Sequence, residues 1–216
     1  MAPQITLYFL QASRCIRTAW QLHELNLDYE LKFSPRVGGL APPDFKKEAG
    51  GGLGKFPAIV DNGVTITESG NIAEYLCDTY DTAHRLLPPL GDPKRYAVLQ
   101  WVHAAEATFA LHGIAVLYAR WHQKSGSVEE TEAGLSKNVL NDLDFLTVEL
   151  DKSPGKFLFG DELTVADIQV HFSVAFVLAR QLGLQGRRFE RLERYLRDCE
   201  GTESYKAAVE KTGHEM

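Results

Sequence analysis

The chain has 216 residues, 44% hydrophobic and 24% charged, which is enough apolar material for one large folded domain or two small ones. A formal net charge of −6 and a pI near 5.7 argue against nucleic acid or an anionic membrane as its main partner. Three widely spaced cysteines, Cys15, Cys77 and Cys199, with no Cys-x-x-Cys, fit the reducing cytoplasm better than a disulfide framework.

Residues 5–10 are a β-prone run that follows neither a basic start nor a cleavage-type site, so the N-terminus reads as a strand rather than a leader. No continuous run approaches the roughly 18 apolar residues of a membrane span. Ser13 opens a helical pattern with Ile16, Ala19, Trp20 and His23 on one side, and residues 27–33 form a second strand. Strand, helix and strand at this spacing predict a βαβ unit with parallel strands. A Pro/Gly-rich loop with a short helix near 43–48 leads to two β-prone runs, 58–60 and 64–67, joined around Asn62–Gly63, a strong hairpin signal. A helix then opens at Glu68-Ser69-Gly70. The order βαβ, then ββα, is that of a thioredoxin-like domain.

Pro88, Pro89, Gly91 and Pro93 mark a linker. Beyond it the pattern turns helical over 94–122, 128–150 and 164–181, with shorter helices over 189–199 and 203–211. The predicted fold class is α/β plus all-α: residues 1–82 a thioredoxin-like domain, 83–93 a linker, and 94–216 an all-helical domain. Within the latter, Leu163-Thr164-Val165-Ala166-Asp167-Ile168 matches a capping box with Asp in the Glu position and a Leu163–Ile168 staple.

The stretch 54–76 suggests a ligand. Pro57 has no N–H and ends the local ladder, so the Phe56 backbone can stay open to an extended peptide. The first N–H groups at Ser69 attract an anion, with Glu68 placed to meet an amino group. A plain helix cap at Ser69 fits equally well. The run Ala49-Gly50-Gly51-Gly52-Leu53-Gly54-Lys55 mimics a phosphate-binding loop, but Phe56 and Pro57 stand where that motif needs Ser or Thr and a helix, so nucleotide binding is rejected.

A basic turn, a proline, a hairpin and Glu-Ser-Gly opening a helix, followed by a linker and a helical half carrying the 163–168 box, resemble the cytosolic glutathione transferases. Ser13-Arg14-Cys15-Ile16-Arg17 and Trp101-Val-His-Ala-Ala-Glu106 are most similar to the fungal and bacterial serine-type branch that includes the yeast-type enzymes. The run Gly51-Gly52-Leu53-Gly54-Lys55-Phe56-Pro57 departs from the Asn-Pro-Leu-Gly-Lys-Val-Pro frequent in the family. The resemblance implies a cis Pro57, and a homodimer that conjugates glutathione, a co-substrate rather than a resident cofactor, to a small hydrophobic electrophile. It places Lys55 at the glycine carboxylate, the Phe56 backbone at the cysteinyl part, and Glu68 and Ser69 at the γ-glutamyl end.

Such a reaction needs thiolate near neutral pH, while a free thiol titrates near 8.5. A hydroxyl hydrogen bond to the thiolate contributes roughly 1.5–3 kcal/mol, about one to two pKa units. Ser13, at the end of the first strand, is the leading candidate; Tyr8 on the strand and Cys15 at the helix start are alternatives. His103, Glu106, Phe109 and Ala110 are candidates for the electrophile side. No metal site is expected, since His103 and His112 fall half a rotation out of phase on a helix. The alternatives to conjugation are glutathione-dependent isomerisation, disulfide exchange through Cys15, and a transferase-like regulatory or interaction domain with little turnover.

Overall fold

A computed structural model describes residues 4–50 and 52–215. The N-terminal tripeptide of the strand-not-leader reading, and Gly51 of the departing loop, lie outside the described residues.

The first strand, β1 (Ile5–Leu10), is buried at all but one half-buried position. It pairs in parallel with β2 (Tyr29–Ser34), Leu10 facing Ser34, and antiparallel with β3 (Ala58–Asp61), Tyr8 facing Ala58. β4 (Val64–Thr67) completes the sheet in the order β2-β1-β3-β4. The β3–β4 connection is the Asn62–Gly63 pair, with φ of 47° and 84°. Two left-handed residues in succession match the twist of the flanking strands, and Asn-Gly adopts them at little cost. Helices α1 (Cys15–Glu24), α2 (Pro43–Glu48) and α3 (Ser69–Tyr80) give the thioredoxin-like order. Asp61, 1% exposed, ties sheet to helix by accepting the hydroxyls of Tyr75 at 2.7 Å and Tyr80 at 2.5 Å. Asp81 turns the chain out of α3 by accepting the N–H groups of Arg85 and Leu86.

The chain divides into two compact units, one running to Leu90 and resuming at Glu200, the other spanning Gly91–Cys199. The break at Leu90 falls inside the predicted linker. The last helix, α9 (Glu203–Thr212), groups with the first unit rather than with the helical domain expected to run from 94 to 216. Its partner is α1: the Trp20 ring meets Tyr205 edge-on at 5.1 Å and its indole N–H donates to Ser204 Oγ at 3.0 Å. Ser204 in turn donates to Glu24, and Lys211 to the Tyr29 carbonyl. An amphipathic pattern shows that a helix needs a partner surface but not which one.

The second unit begins with one continuous helical run: α4 (Pro93–Ala104), a π-helical segment (Ala105–Ala110) and α5 (Leu111–His122). Then come α6 (Val128–Lys152), α7 (Val165–Ala179) and α8 (Glu190–Glu200). α7 is the core helix, and α4, the π segment and α5–α6 pack around it and each other. A Cβ at Gly113 would come within 2.6 Å of Val177, so glycine is what lets α5 approach α7. Trp101 stacks on both Phe109 and Phe145, at 6.1 and 5.5 Å. Among the described residues one helix, Pro93–His122, is long and apolar enough to cross a membrane by length and composition, with a mean hydropathy of 1.2 over its most apolar window. The expectation of no such run rested on unbroken apolarity, whereas here charged residues interrupt an apolar average. Its buried side chains Val98, Trp101, Val102, Phe109 and Val116 form the core of this unit.

Candidate functional site

The site is built where β1 ends. Ser13, 7% exposed, lies between β1 and α1. Its hydroxyl donates to the Leu10 carbonyl at 2.6 Å and accepts the Cys15 N–H at 3.3 Å. Ser13 thus does what a plain cap would do: it closes the turn and satisfies a first-turn donor. The Leu10 N–H is directed to Cys15 Sγ at 3.4 Å.

That use of Leu10 has a consequence across the sheet. In the β1–β3 register Leu10 is the residue that would face Phe56. With its N–H turned to Cys15 and its carbonyl to Ser13, Leu10 does not extend the ladder toward Phe56. The Phe56–Pro57 peptide bond is cis, as the resemblance implied, and β3 starts only at Ala58. The Phe56 ring is held by stacking on Phe45 of α2 at 4.9 Å. Lys55, just before it, is exposed.

β4 ends at Thr67, and Glu68 turns the chain into α3 with φ 67° and ψ 122°. A non-glycine residue in this region costs on the order of 1–3 kcal/mol, which the surrounding structure must supply. The Glu68 carbonyl accepts the Ile72 N–H at 2.8 Å, so the helix is capped by backbone alone while the Glu68 side chain stays exposed. Ser69, 5% exposed, opens α3, whose first N–H groups have no partner within the helix.

One member of the site escapes a sequence reading. Arg17 is fully buried on α1, one turn beyond Ser13, and its Nη1 donates to Ser69 Oγ at 3.1 Å. A guanidinium donates only, so Ser69 is fixed as the acceptor and its own proton is left to point elsewhere. Arg17 places a positive charge beneath the α3 N-terminus, where the helix dipole already favours an anion. The available signal was its i+4 spacing from Ser13.

Within the first unit Ser13 is thus bonded to Leu10 and Ser69 to Arg17, while Phe56 packs on Phe45. The alternatives to Ser13 are placed otherwise. Tyr8, 6% exposed, packs in a cluster with Phe45, Ala49 and Ala58, its ring 5.8 Å from that of Phe45. Cys15 is fully buried, and burial pushes its thiol up to about 11 against the opposing hydrogen bonds of the turn. A thiol so enclosed packs as a core side chain, which counts against the disulfide-exchange reading.

The four electrophile-side candidates belong to the second unit. His103 on α4 is exposed and Glu106 in the π segment is half-buried. Phe109 and Ala110, 3% and 2% exposed, lie in its core, and the Trp101 stack accounts for Phe109. Among the described residues no group of three or more His, Cys, Asp or Glu could hold a metal ion.

A family model described as "Glutathione S-transferase, N-terminal domain" matches residues 7–84, the segment that carries every member of the site. The chain is 29% identical to glutathione S-transferase 3 of Schizosaccharomyces pombe, over 96% of this chain and 87% of the relative. It is 32% identical to the glutathione S-transferase-like protein OpS6 of Beauveria bassiana, over 70% of this chain and 69% of that one. A crystal structure of a glutathione S-transferase from Actinobacillus pleuropneumoniae superposes with a TM-score of 0.81 at 26% identity, covering 98% of this chain and 94% of the other. Fold, site segment and full-length similarity agree: the chain belongs to the cytosolic glutathione transferase superfamily, with fungal yeast-type relatives.

Proposed function

We propose that the protein transfers the thiolate of glutathione to a small hydrophobic electrophile, with Ser13 as the thiolate's hydrogen-bond donor. What supports this is cis-Pro57 next to Phe56, to which the β1–β3 ladder does not extend, together with the Ser13 hydroxyl where β1 ends and the Ser69–Arg17 pair where α3 begins. Glutathione lies along Phe56 as an added strand. Its γ-glutamyl carboxylate meets the α3 N-terminus and the Ser69 proton, its glycine carboxylate meets Lys55, and Glu68 meets its amino group. The protein works as a homodimer.

The magnitude follows from what Ser13 gives up. Its O–H must leave the Leu10 carbonyl, a neutral hydrogen bond worth roughly 0.5–1.5 kcal/mol, to take a thiolate bond worth roughly 1.5–3. The net, about 1.4 kcal/mol, lowers the bound thiol by about one pKa unit. This is the low end of the sequence-based expectation, because the hydroxyl starts from a made bond rather than from water.

The test is retention on immobilised glutathione, then thioether formation with a model aryl halide, comparing wild type with Ser13→Ala. Retention, a thioether product with stoichiometric loss of glutathione, and a roughly ten-fold slower variant at neutral pH are expected. Unchanged rate in the variant removes Ser13 from the reaction. Turnover without consumption of glutathione would replace transfer with isomerisation, and retention without turnover would leave a binding domain.

A further inference from the structure

The loop that carries Ser13 is held from outside. Ala12, the residue before it, sits at φ 48°, a left-handed conformation that alanine does not keep by its own preference. The grip comes from Arg36, between β2 and α2. Its Nε donates to the Gln11 carbonyl at 3.0 Å and its Nη2 to the Ala12 carbonyl at 3.4 Å, while Nη1 donates to the Gly39 carbonyl at 3.1 Å. The hold is reciprocal, for the Gln11 side chain accepts the Arg36 backbone N–H at 3.2 Å.

Arg36 is itself followed by a hydrogen-bonded turn. Val37 and Leu40 exchange both backbone hydrogen bonds, at 2.9 and 3.0 Å, around Gly38 and Gly39 with φ of 58° and 79°. This is a two-residue turn of the type that needs left-handed backbone twice, which the glycine pair permits. A guanidinium has the fixed fork that spans two successive carbonyls, and a lysine ammonium has not. The Arg36 charge is also felt at the Cys15 thiol, two residues past Ser13, where it opposes the effect of burial.

We propose that Arg36 is a positioning residue: by clamping the Gln11 and Ala12 carbonyls it fixes the left-handed turn that aims the Ser13 hydroxyl at the bound thiolate. The proposal rests on the reading of Ser13 given above. Arg36 touches neither the glutathione nor the electrophile in that reading; its geometric effect passes through Ser13, and Arg36→Lys, which keeps the charge, separates that effect from a direct pull on the thiolate.

The experiment compares wild type, Arg36→Ala, Arg36→Lys, Ser13→Ala and the Arg36→Ala/Ser13→Ala pair. The pKa of enzyme-bound glutathione is followed by ultraviolet thiolate absorbance, glutathione affinity by calorimetry, and kcat/KM with the aryl halide across pH. Arg36→Ala is expected to raise the bound-thiol pKa in the same direction as Ser13→Ala. It should lower kcat/KM at neutral pH by about ten-fold, as loss of alignment does, and change glutathione affinity by less than about three-fold. Arg36→Lys should resemble Arg36→Ala, and the double variant should be no slower than Ser13→Ala alone. A wild-type bound-thiol pKa in Arg36→Ala, full recovery by Lys, or additive losses in the double variant each overturn the proposal while leaving Ser13 in place. An unshifted pKa in Ser13→Ala overturns the Ser13 reading and this proposal together.

Discussion

Replacing Asp167 by Ala removes a carboxylate that joins three parts of the helical unit. Asp167 is fully buried and accepts four hydrogen bonds: Leu158 N–H at 2.9 Å, Thr164 N–H at 2.9 Å, Thr164 Oγ1 at 2.8 Å and the Tyr195 hydroxyl at 3.1 Å. Burial pushes its carboxyl above the ordinary range, and these donors pull against that. As a helix cap alone it would be worth about 0.5–2 kcal/mol. The structure asks for more. Truncation strands two backbone N–H groups, each orphaned buried donor costing about 1–3 kcal/mol, and takes from the buried Tyr195 hydroxyl its carboxylate partner, leaving it Cys199. Part of that is offset because the carboxylate no longer has to be desolvated, leaving about 3–5 kcal/mol for breaking such a network. Urea unfolding at neutral pH, followed by circular dichroism, should show a lower midpoint with an unchanged slope. Asp167→Asn should fall between wild type and Ala, because one carbonyl oxygen replaces two acceptors. A loss below about 1 kcal/mol for Ala would refute the reasoning, since the two backbone donors would then have found other partners.

Arg17→Gln should raise the KM for glutathione about ten-fold by removing the Ser69 contact, with a smaller effect on kcat, both read from initial rates. Cys15, Cys77 and Cys199 should stay unreactive toward an aromatic disulfide reagent until the protein is unfolded, and Cys15→Ala should retain turnover, because all three thiols are buried. The Arg120 guanidinium, within 2.8 Å of Glu132, holds that carboxyl below its usual range. A depressed folded pKa gives stability that is present above about pH 4.3 and lost as pH falls through the folded value. Glu132→Gln should therefore be less stable than wild type at pH 7 and approach it near pH 3 in urea midpoints. Deleting the residues from 200 onward should shift Trp20 fluorescence to longer wavelength and weaken retention on glutathione, although the deleted helix holds no predicted ligand contact.

Where the chain repeats a local rule, the sequence was legible. The Asn62–Gly63 hairpin, the strand at Ile5–Leu10 and the short helix at Pro43–Glu48 appear at the expected places. Each depends on residues within a few positions of one another. The Asp167 box was readable for the same reason, although its bond to Tyr195, 28 residues on, was not. Arg17 was hidden because an arginine on a helix is ordinarily at the surface, and only the fold reveals that α3 lies against it. The π segment was hidden because one widened turn barely disturbs a 3.6-residue pattern over thirty positions. Ser13 was legible as a polar residue where the first strand gives way to the first helix. The structure adds that its hydroxyl is already engaged, and that Gln11 and Ala12 are held by an arginine more than twenty positions away.

The return of α9 to α1 sets an order of events during synthesis. A ribosome releases the chain from its N-terminal side, so the sheet and α1–α3 emerge before α4–α8, yet the surface around Trp20 waits for α9. The middle of the chain can complete its own core while the beginning still lacks a wall. The first unit therefore closes only after Gly91–Cys199 has been made, and a nascent chain stalled before α9 would carry an exposed indole where the folded one carries a closed seam.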